Sequence, residues 1–104
     1  METLSIFIGG SWRLGGGEAM RSYFPADGSV NATLNAASLE DLQEAIECAE
    51  RAWRDPQWRN TLPHQRAKLL HKVAENIESR VDELARMQSR DNGKPLAEAC
   101  GLVM

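Results

Sequence analysis

Asp91-Asn92-Gly93-Lys94-Pro95 decides how this chain is read. A turn of that composition launches another helix, and Leu96, Ala97, Ala99, Leu102 and Val103 read as its first turns. The sequence then stops on Met104 with no cap and no polar exit. Domains rarely close on an apolar, unfinished helix, because its last carbonyl groups would have no partner. The expectation is that these 104 residues are the opening segment of something larger.

Working back from that turn, the chain reads as helical to residue 38. Ser38 suits an N-cap, with Asp41 three positions on as its box partner. Leu39, Leu42, Ile46, Ala49 and Trp53 recur at spacings of 3, 4, 3 and 4, which predicts one buried stripe. The helix should stop before Asp55-Pro56, since proline disfavours helical geometry in the residue before it. Gln57 to Asn60 reads as a connector. A second helix starts at Thr61-Leu62-Pro63, with Leu69, Leu70, Val73, Ala74 and Ile77 as its apolar face. Val81, Leu84, Ala85 and Gln88 continue the pattern, either in one long bent helix or in a fresh one that Ser79 and Asp82 would cap.

Residues 5–35 read as strands. Ser5 to Ile8, a turn at Gly9-Gly10-Ser11, and a return at Trp12-Arg13 predict one hairpin. Met20 to Phe24, the turn Pro25-Ala26-Asp27-Gly28, and Val30 to Leu34 predict a second, or a small antiparallel meander. The fold class is therefore α+β as a fragment: β-hairpins over 5–35, then two or three helices over 38–104. Two small hairpins cannot cover both helical stripes. Leaving either stripe in water would forfeit several kcal/mol at about 25 cal/mol per Å² of apolar area, so the sequence calls for a covering surface.

Composition narrows the class. A net charge of -3 argues against a nucleic-acid partner, which demands a basic face. No apolar run approaches a membrane span, and the first residues lack a basic region and apolar core, so a cytoplasmic setting is the default. Cys48 and Cys100 are too few for a disulfide framework or a zinc site and read as small apolar residues. His64 and His71, two helical turns apart, read as surface histidines rather than a metal pair. Gly93-Lys94-Pro95 lacks the phosphate-loop spacing, and Gly9-Gly10 and Gly15-Gly16-Gly17 lack that of a dinucleotide fingerprint. Trp53 and Trp58 read as anchors of a helix–helix corner. Glu40, Asp41, Glu44, Glu47 and Glu50 read as a solvated face.

Five stretches in order carry a family likeness. They are Phe7-Ile8-Gly9-Gly10-Ser11-Trp12, Phe24-Pro25-Ala26-Asp27-Gly28, Ala36 to Asp41, Pro63 to Leu70, and Asp82 to Ala85 followed by Asp91 to Pro95. They resemble the opening "IGGEW" hairpin, the "NPATG" turn, the starts of the first two long helices, and the following turn of the aldehyde dehydrogenase superfamily. Phe24 and Asp27 stand where that turn usually has Asn and Thr. The resemblance implies the N-terminal portion of an NAD(P)-binding domain, in an α/β Rossmann-like parent that oxidises an aldehyde to a carboxylic acid with NAD or NADP. It implies a cysteine nucleophile, a glutamate that activates water and an oxyanion-stabilising asparagine, all in regions beyond these residues. No catalytic or cofactor-binding residue is carried over, and the segment alone is expected to be inactive. The implied partners are the rest of the dehydrogenase chain or a second subunit, in a homo-oligomeric parent. The one site carried over is a candidate monovalent-cation site, from the Asp91 carboxylate and the main-chain carbonyls of Ser22 and Tyr23. The competing reading gives Asp91 a local role at its turn. The alternative for the whole chain is a non-catalytic helical module that buries its stripes by self-association.

Overall fold

The computed structural model describes residues 2–103, and its chain divides into two compact units. The first comprises Met1–Ser22 with Val30–Asn60, the second Tyr23–Ser29 with Thr61–Met104. Met104, on which the expectation of an unfinished helix turned, lies outside the described residues.

In the first unit, β2 (Ile6–Ile8) and β3 (Ser11–Arg13) follow β1 (Thr3–Leu4) and form the expected antiparallel hairpin. Gly9 and Gly10 make its two-residue loop, with φ of 59° and 84°. Two consecutive positive φ values define the turn whose twist matches the flanking strands, and glycine adopts them without strain. Phe7 sits opposite Trp12 with ring centroids 4.9 Å apart. β4 (Ala19–Tyr23) and β5 (Val30–Asn35) are neighbours in a second sheet of order β1-β5-β4. Their link over residues 24–29 is too short for a parallel crossover. β1, which lies ahead of the expected start at Ser5, runs parallel to β5 with Thr3 opposite Thr33 and Leu4 opposite Leu34. A purely antiparallel meander is therefore corrected to a mixed sheet. Its parallel pair depends on residues thirty apart, which local patterning does not register.

Helix α1 (Leu39–Arg54) starts and stops where the sequence says. The Asp41 amide donates to Ser38 Oγ at 3.1 Å, and the Ser38 amide donates to Asp41 Oδ2 at 2.9 Å, which completes a reciprocal capping box. Asp55 ends α1, and its carboxylate takes the Gln57 amide at 2.9 Å to start the single turn α2 (Pro56–Arg59). The expected irregular connector is thus helical, because Asp and Pro form an N-cap and first-turn pair as well as a helix stop.

In the second unit, α3 (Pro63–Glu78) opens with the Leu62 amide donating to Gln65 Oε1 at 3.1 Å. The chain breaks at Ser79-Arg80 and resumes as α4 (Val81–Asn92), so of the two expected arrangements the structure has two helices in succession. Ser79 does not cap α4. Its hydroxyl donates backward to the Asn76 carbonyl at 2.8 Å, a back-bond typical of serine. Arg80 takes the N-cap position and grips Glu83 through two hydrogen bonds. Gly93 closes α4 in the left-handed conformation with φ 78°, and α5 (Leu96–Val103) follows. A methyl group on Gly93 would stand 3.2 Å from Pro25 Cβ. Gly93→Ala is therefore expected to cost about 1–2 kcal/mol, read as a lower melting temperature of the helical circular dichroism signal.

Only alanines form the core among the described residues: Ala32 in β5, Ala85 in α4 and Ala99 in α5. α4 and α5 pack side by side and hold the last two, both fully buried. The α1 stripe, expected to be buried, is exposed: Leu39 85%, Leu42 53%, Ile46 55%, Trp53 60%. Helix α1 turns a different face to the β2–β3 hairpin, the one carrying Asp41, Glu44 and Cys48. On α3, Leu69, Leu70, Val73 and Ile77 are all exposed as well. Both helical stripes stand uncovered.

Candidate functional site

Ser22 ends the first unit's part of β4, while Tyr23 and Asp91 belong to the second unit. Ser22 Oγ accepts a hydrogen bond from Asn31 Nδ2 at 3.3 Å on the neighbouring strand β5. Within the second unit, the 24–29 turn meets the C-terminal end of α4. The Arg90 guanidinium stands 4.9 Å above the Phe24 ring, a cation–π stack, and Pro25 faces the bare Cα of Gly93. Phe24, the departure from the family turn, thus gains a partner that asparagine would not offer. The turn is self-bracing: the Ser29 amide donates to Asp27 Oδ1 at 2.9 Å, and Ser29 holds the Asp27 carboxyl below its ordinary range. Asp91 lies exposed in the last turn of α4. The residue that ties down its turn is Asn92, whose Oδ1 accepts the Lys94 amide at 3.0 Å. This tie is an Asx turn, which the sequence already signals.

The most strongly constrained carboxylate is Asp41. Its Oδ2 takes the Gly16 amide at 2.7 Å and the Ser38 amide at 2.9 Å, and its Oδ1 takes Arg13 Nη2 at 3.1 Å. Hydrogen bonds from the Gly16 and Ser38 amides, helped by the Arg13 charge, lower its pKa to about 2. Arg13 reaches Glu44 at 2.6 Å as well, and this bond lowers the Glu44 carboxyl. The sequence presents Asp41 only as a box partner and a solvated face residue. Its 3-residue spacing from Glu44, opposite an arginine on a nearby strand, is the signal that would have found the cluster. The cluster fixes β3, the glycine stretch and the start of α1 in one arrangement. Both carboxylate oxygens of Asp41 take protein donors, so it is a structural tie.

Cys48 is half-buried. Its Sγ accepts from Arg51 Nη2 at 3.1 Å and lies 3.0 Å from where a Gly9 methyl group would stand, so the thiol fills the space beneath the hairpin turn. Cys100 is half-buried in α5. His64 and His71 are exposed on α3, and no group of three or more His, Cys, Asp or Glu among the described residues is placed to hold a metal ion. Gly15 and Gly17 press against the Asn35-to-Ala37 backbone, and Gly9-Gly10 form a hairpin turn. Neither stretch makes an open cradle of amides for a pyrophosphate. Trp53 and Trp58 are exposed, and the Arg59 guanidinium stands 5.8 Å from the Trp53 ring centre. No helix among the described residues is long and apolar enough to cross a membrane.

Comparison with known proteins gives this framework its context. Residues 12–104 match the profile of the aldehyde dehydrogenase family. The chain is 40% identical over 93 residues to the aminoacetaldehyde dehydrogenase of Pseudomonas aeruginosa, covering 88% of this chain and 19% of that protein. It is 38% identical over 106 residues to malonate-semialdehyde dehydrogenase 2 of Geobacillus kaustophilus, covering 99% and 21%. The fold superposes on aldehyde dehydrogenase from Bacillus cereus in its NAD+ complex with a TM-score of 0.89 at 34% identity, over 96% of this chain and 21% of that one. The chain thus spans about a fifth of the length of the relatives it matches. With the hairpin, the turn at 24–29 and the ordered helices all in place, the chain belongs to the aldehyde dehydrogenase family.

Proposed function

We propose that residues 1–104 form the N-terminal segment of the NAD(P)-binding domain of a Rossmann-like aldehyde dehydrogenase. The parent oxidises an aldehyde to a carboxylic acid through a cysteine thioester, with NAD or NADP as hydride acceptor. The observation that carries this reading is the family match over residues 12–104, at about a fifth of the relatives' length. The segment's own task is scaffolding: the Asp41 tie sets the hairpin against α1, and the exposed stripes of α1 and α3 await the rest of the domain. Contacts to the dinucleotide and the reacting groups belong to that remainder, so the 104 residues alone are inactive. We read the parent as a cytoplasmic homo-oligomer, which cell fractionation and light scattering of the complete enzyme test.

The deciding experiment is a chimera. Residues 1–104 replace the matching segment of the Bacillus cereus relative, and aldehyde-dependent NAD(P)H formation is measured. Activity within about tenfold of the relative is expected, since a well-placed scaffold changes the barrier by little more than 1.4 kcal/mol. A folded but inert chimera would overturn the scaffolding role, and turnover by the 104 residues alone would overturn the assignment of chemistry elsewhere. The cation site of Ser22, Tyr23 and Asp91 is tested in the same protein: melting should rise with added potassium, and Asp91→Ala should remove that rise. Carboxylate and carbonyl oxygens suit such a cation.

A second reading has one observation in its favour. The uncovered stripes would also drive self-association of a non-catalytic module. Light scattering of the pure chain separates the readings: a stable dimer with melting that depends on protein concentration favours the module.

A further inference from the structure

We propose that Asn92 is a spontaneous modification site: the Gly93 main-chain nitrogen attacks its side-chain amide, and water opens the resulting succinimide to aspartate or isoaspartate. The C-terminal cap of α4 gates the reaction, and isoaspartate there loosens α5 from α4. The inference goes beyond the dehydrogenase reading and concerns how long this helix pair keeps its native turn.

The residues that make the turn also make the reaction. Attack needs the peptide nitrogen after the asparagine to approach the side chain, and a Cβ on that next residue obstructs it. Asn31, Asn35, Asn60 and Asn76 are followed by Ala, Ala, Thr and Ile. Asn92 alone is followed by glycine, which has no Cβ. Asn92 and Gly93 are both exposed, so water reaches them. The Lys94 amide donates to Asn92 Oδ1 at 3.0 Å. That bond turns the side chain forward over the following peptide units and draws electron density from Cγ, the atom under attack. The closing bond of α4 opposes the reaction. The Gly93 amide donates to the Ser89 carbonyl at 2.9 Å. While that bond holds, the nitrogen keeps its proton and cannot turn on Cγ. Attack therefore waits for the last turn to open, and a slow reaction samples that opening at equilibrium.

Water is the only co-reactant. The Gly93 nitrogen loses its proton to solvent and bonds to Asn92 Cγ. The Cγ–Nδ2 bond breaks, and Nδ2 takes up a proton and leaves as ammonia. Water then adds to one of the two ring carbonyls, and nothing is oxidised or reduced. Opening at Cγ gives aspartate. Opening at the Asn92 main-chain carbonyl carbon gives isoaspartate, whose backbone runs through the former side chain. Isoaspartate thus lengthens the chain at the turn that carries α4 into α5, whose packing holds Ala85 and Ala99. Either product adds negative charge beside Asp91 at the C-terminal end of α4, where the helix carbonyls already concentrate it. A second turn of the same design serves as the control. Gly28 is left-handed at φ 75°, its amide donates to the Phe24 carbonyl at 2.8 Å, and the Ser29 amide donates to Asp27 Oδ1 at 2.9 Å. Hydrogen bonds from Ser29 hold the Asp27 carboxyl below its ordinary range, so it stays ionised, and a carboxylate resists attack by an amide nitrogen.

The test incubates the 104-residue chain in neutral buffer beside an end-blocked peptide of residues 86–98. Peptide mapping with fragmentation that separates aspartate from isoaspartate follows each asparagine and Asp27. Conversion at Asn92 is expected at least about tenfold faster than at Asn31, Asn35, Asn60 or Asn76, with Asp27 unchanged. The peptide should react faster than the chain by the protection factor of the Gly93 amide in hydrogen exchange, to within about threefold. Asn92→Gln should stay unmodified, because its longer side chain would have to close a larger ring. The isoaspartate form, isolated by chromatography, should exchange the Ala99 amide at least about tenfold faster than the unmodified chain. Conversion of Asn92 no faster than the other asparagines would overturn the site. Peptide and chain reacting at one rate would overturn the gate. Unchanged exchange at Ala99 in the isoaspartate form would overturn the loosening of α5.

Discussion

Gly15→Ala is expected to destabilise the first unit by about 3 kcal/mol, near the upper end of what overpacking costs. Gly15 is buried, and a methyl group there would overlap the carbonyl oxygens of Asn35 and Ala36 and lie 2.8 Å from the Ala36 carbonyl carbon. The obstacle is backbone, which cannot rotate aside as a side chain can. The Gly17 amide donates to the Ala36 carbonyl at 2.7 Å, and the Ala36 amide donates to the Glu18 carbonyl at 2.8 Å. Moving Ala36 to admit the methyl group therefore strains both bonds. Urea unfolding followed by tryptophan fluorescence, with amide exchange at Gly17 and Ala36, measures the effect. A variant that unfolds within about 0.5 kcal/mol of the parent, the ordinary surface range, would show that the glycine stretch is not seated as described.

Asp41→Asn should loosen the same region by a different route, and the effect should vanish in acid. The amide side chain keeps the shape of the carboxylate but loses the charge that strengthens the bonds from Gly16, Ser38 and Arg13. Exchange at the Gly16 and Ser38 amides should accelerate by about tenfold or more. The folded carboxyl titrates at about 2, below its ordinary 3.8. A depressed folded value means the stabilisation is fully present above the unfolded value and is lost as pH falls from there through about 2. Glu44, lowered by Arg13, adds to the loss in the same direction. The unaltered chain should thus lose stability steeply between about pH 4 and 2, and Asp41→Asn should show a shallower slope there. Parallel melting curves across that window would sink this account of Asp41.

Much of the fold was legible because its signals are local. The Ser38 and Asp41 box, the stop at Asp55-Pro56, the proline opening α3 and the hairpin at Gly9-Gly10 all appear where the sequence puts them. Each depends on groups within a few residues, so one stretch of chain specifies it. The misses have the opposite character. The parallel pairing of β1 with β5, the reach of Arg13 to Asp41, and the contact of Gly15 with the Asn35-Ala36 backbone join residues about 20 to 30 apart, and no periodicity encodes them. At the candidate cation site the sequence named Ser22, Tyr23 and Asp91. The tie made by Asn92 and the Arg90–Phe24 stack emerged only from the folded turn.

By itself the sequence determined helices α1 and α3, the Ser38 cap, the stop at Asp55 and the two turns, because hydrophobic spacing and turn chemistry act at short range. Only the tertiary structure decided which face each helix turns inward. An amphipathic pattern shows that a stripe must be covered and is silent on what covers it. In α1 the polar and small side chains meet the hairpin while the apolar ones stay in solvent. Covering a stripe is a contest between surfaces, and the apolar side yields its place where the Gly16 and Arg13 bonds to one carboxylate hold the other side down.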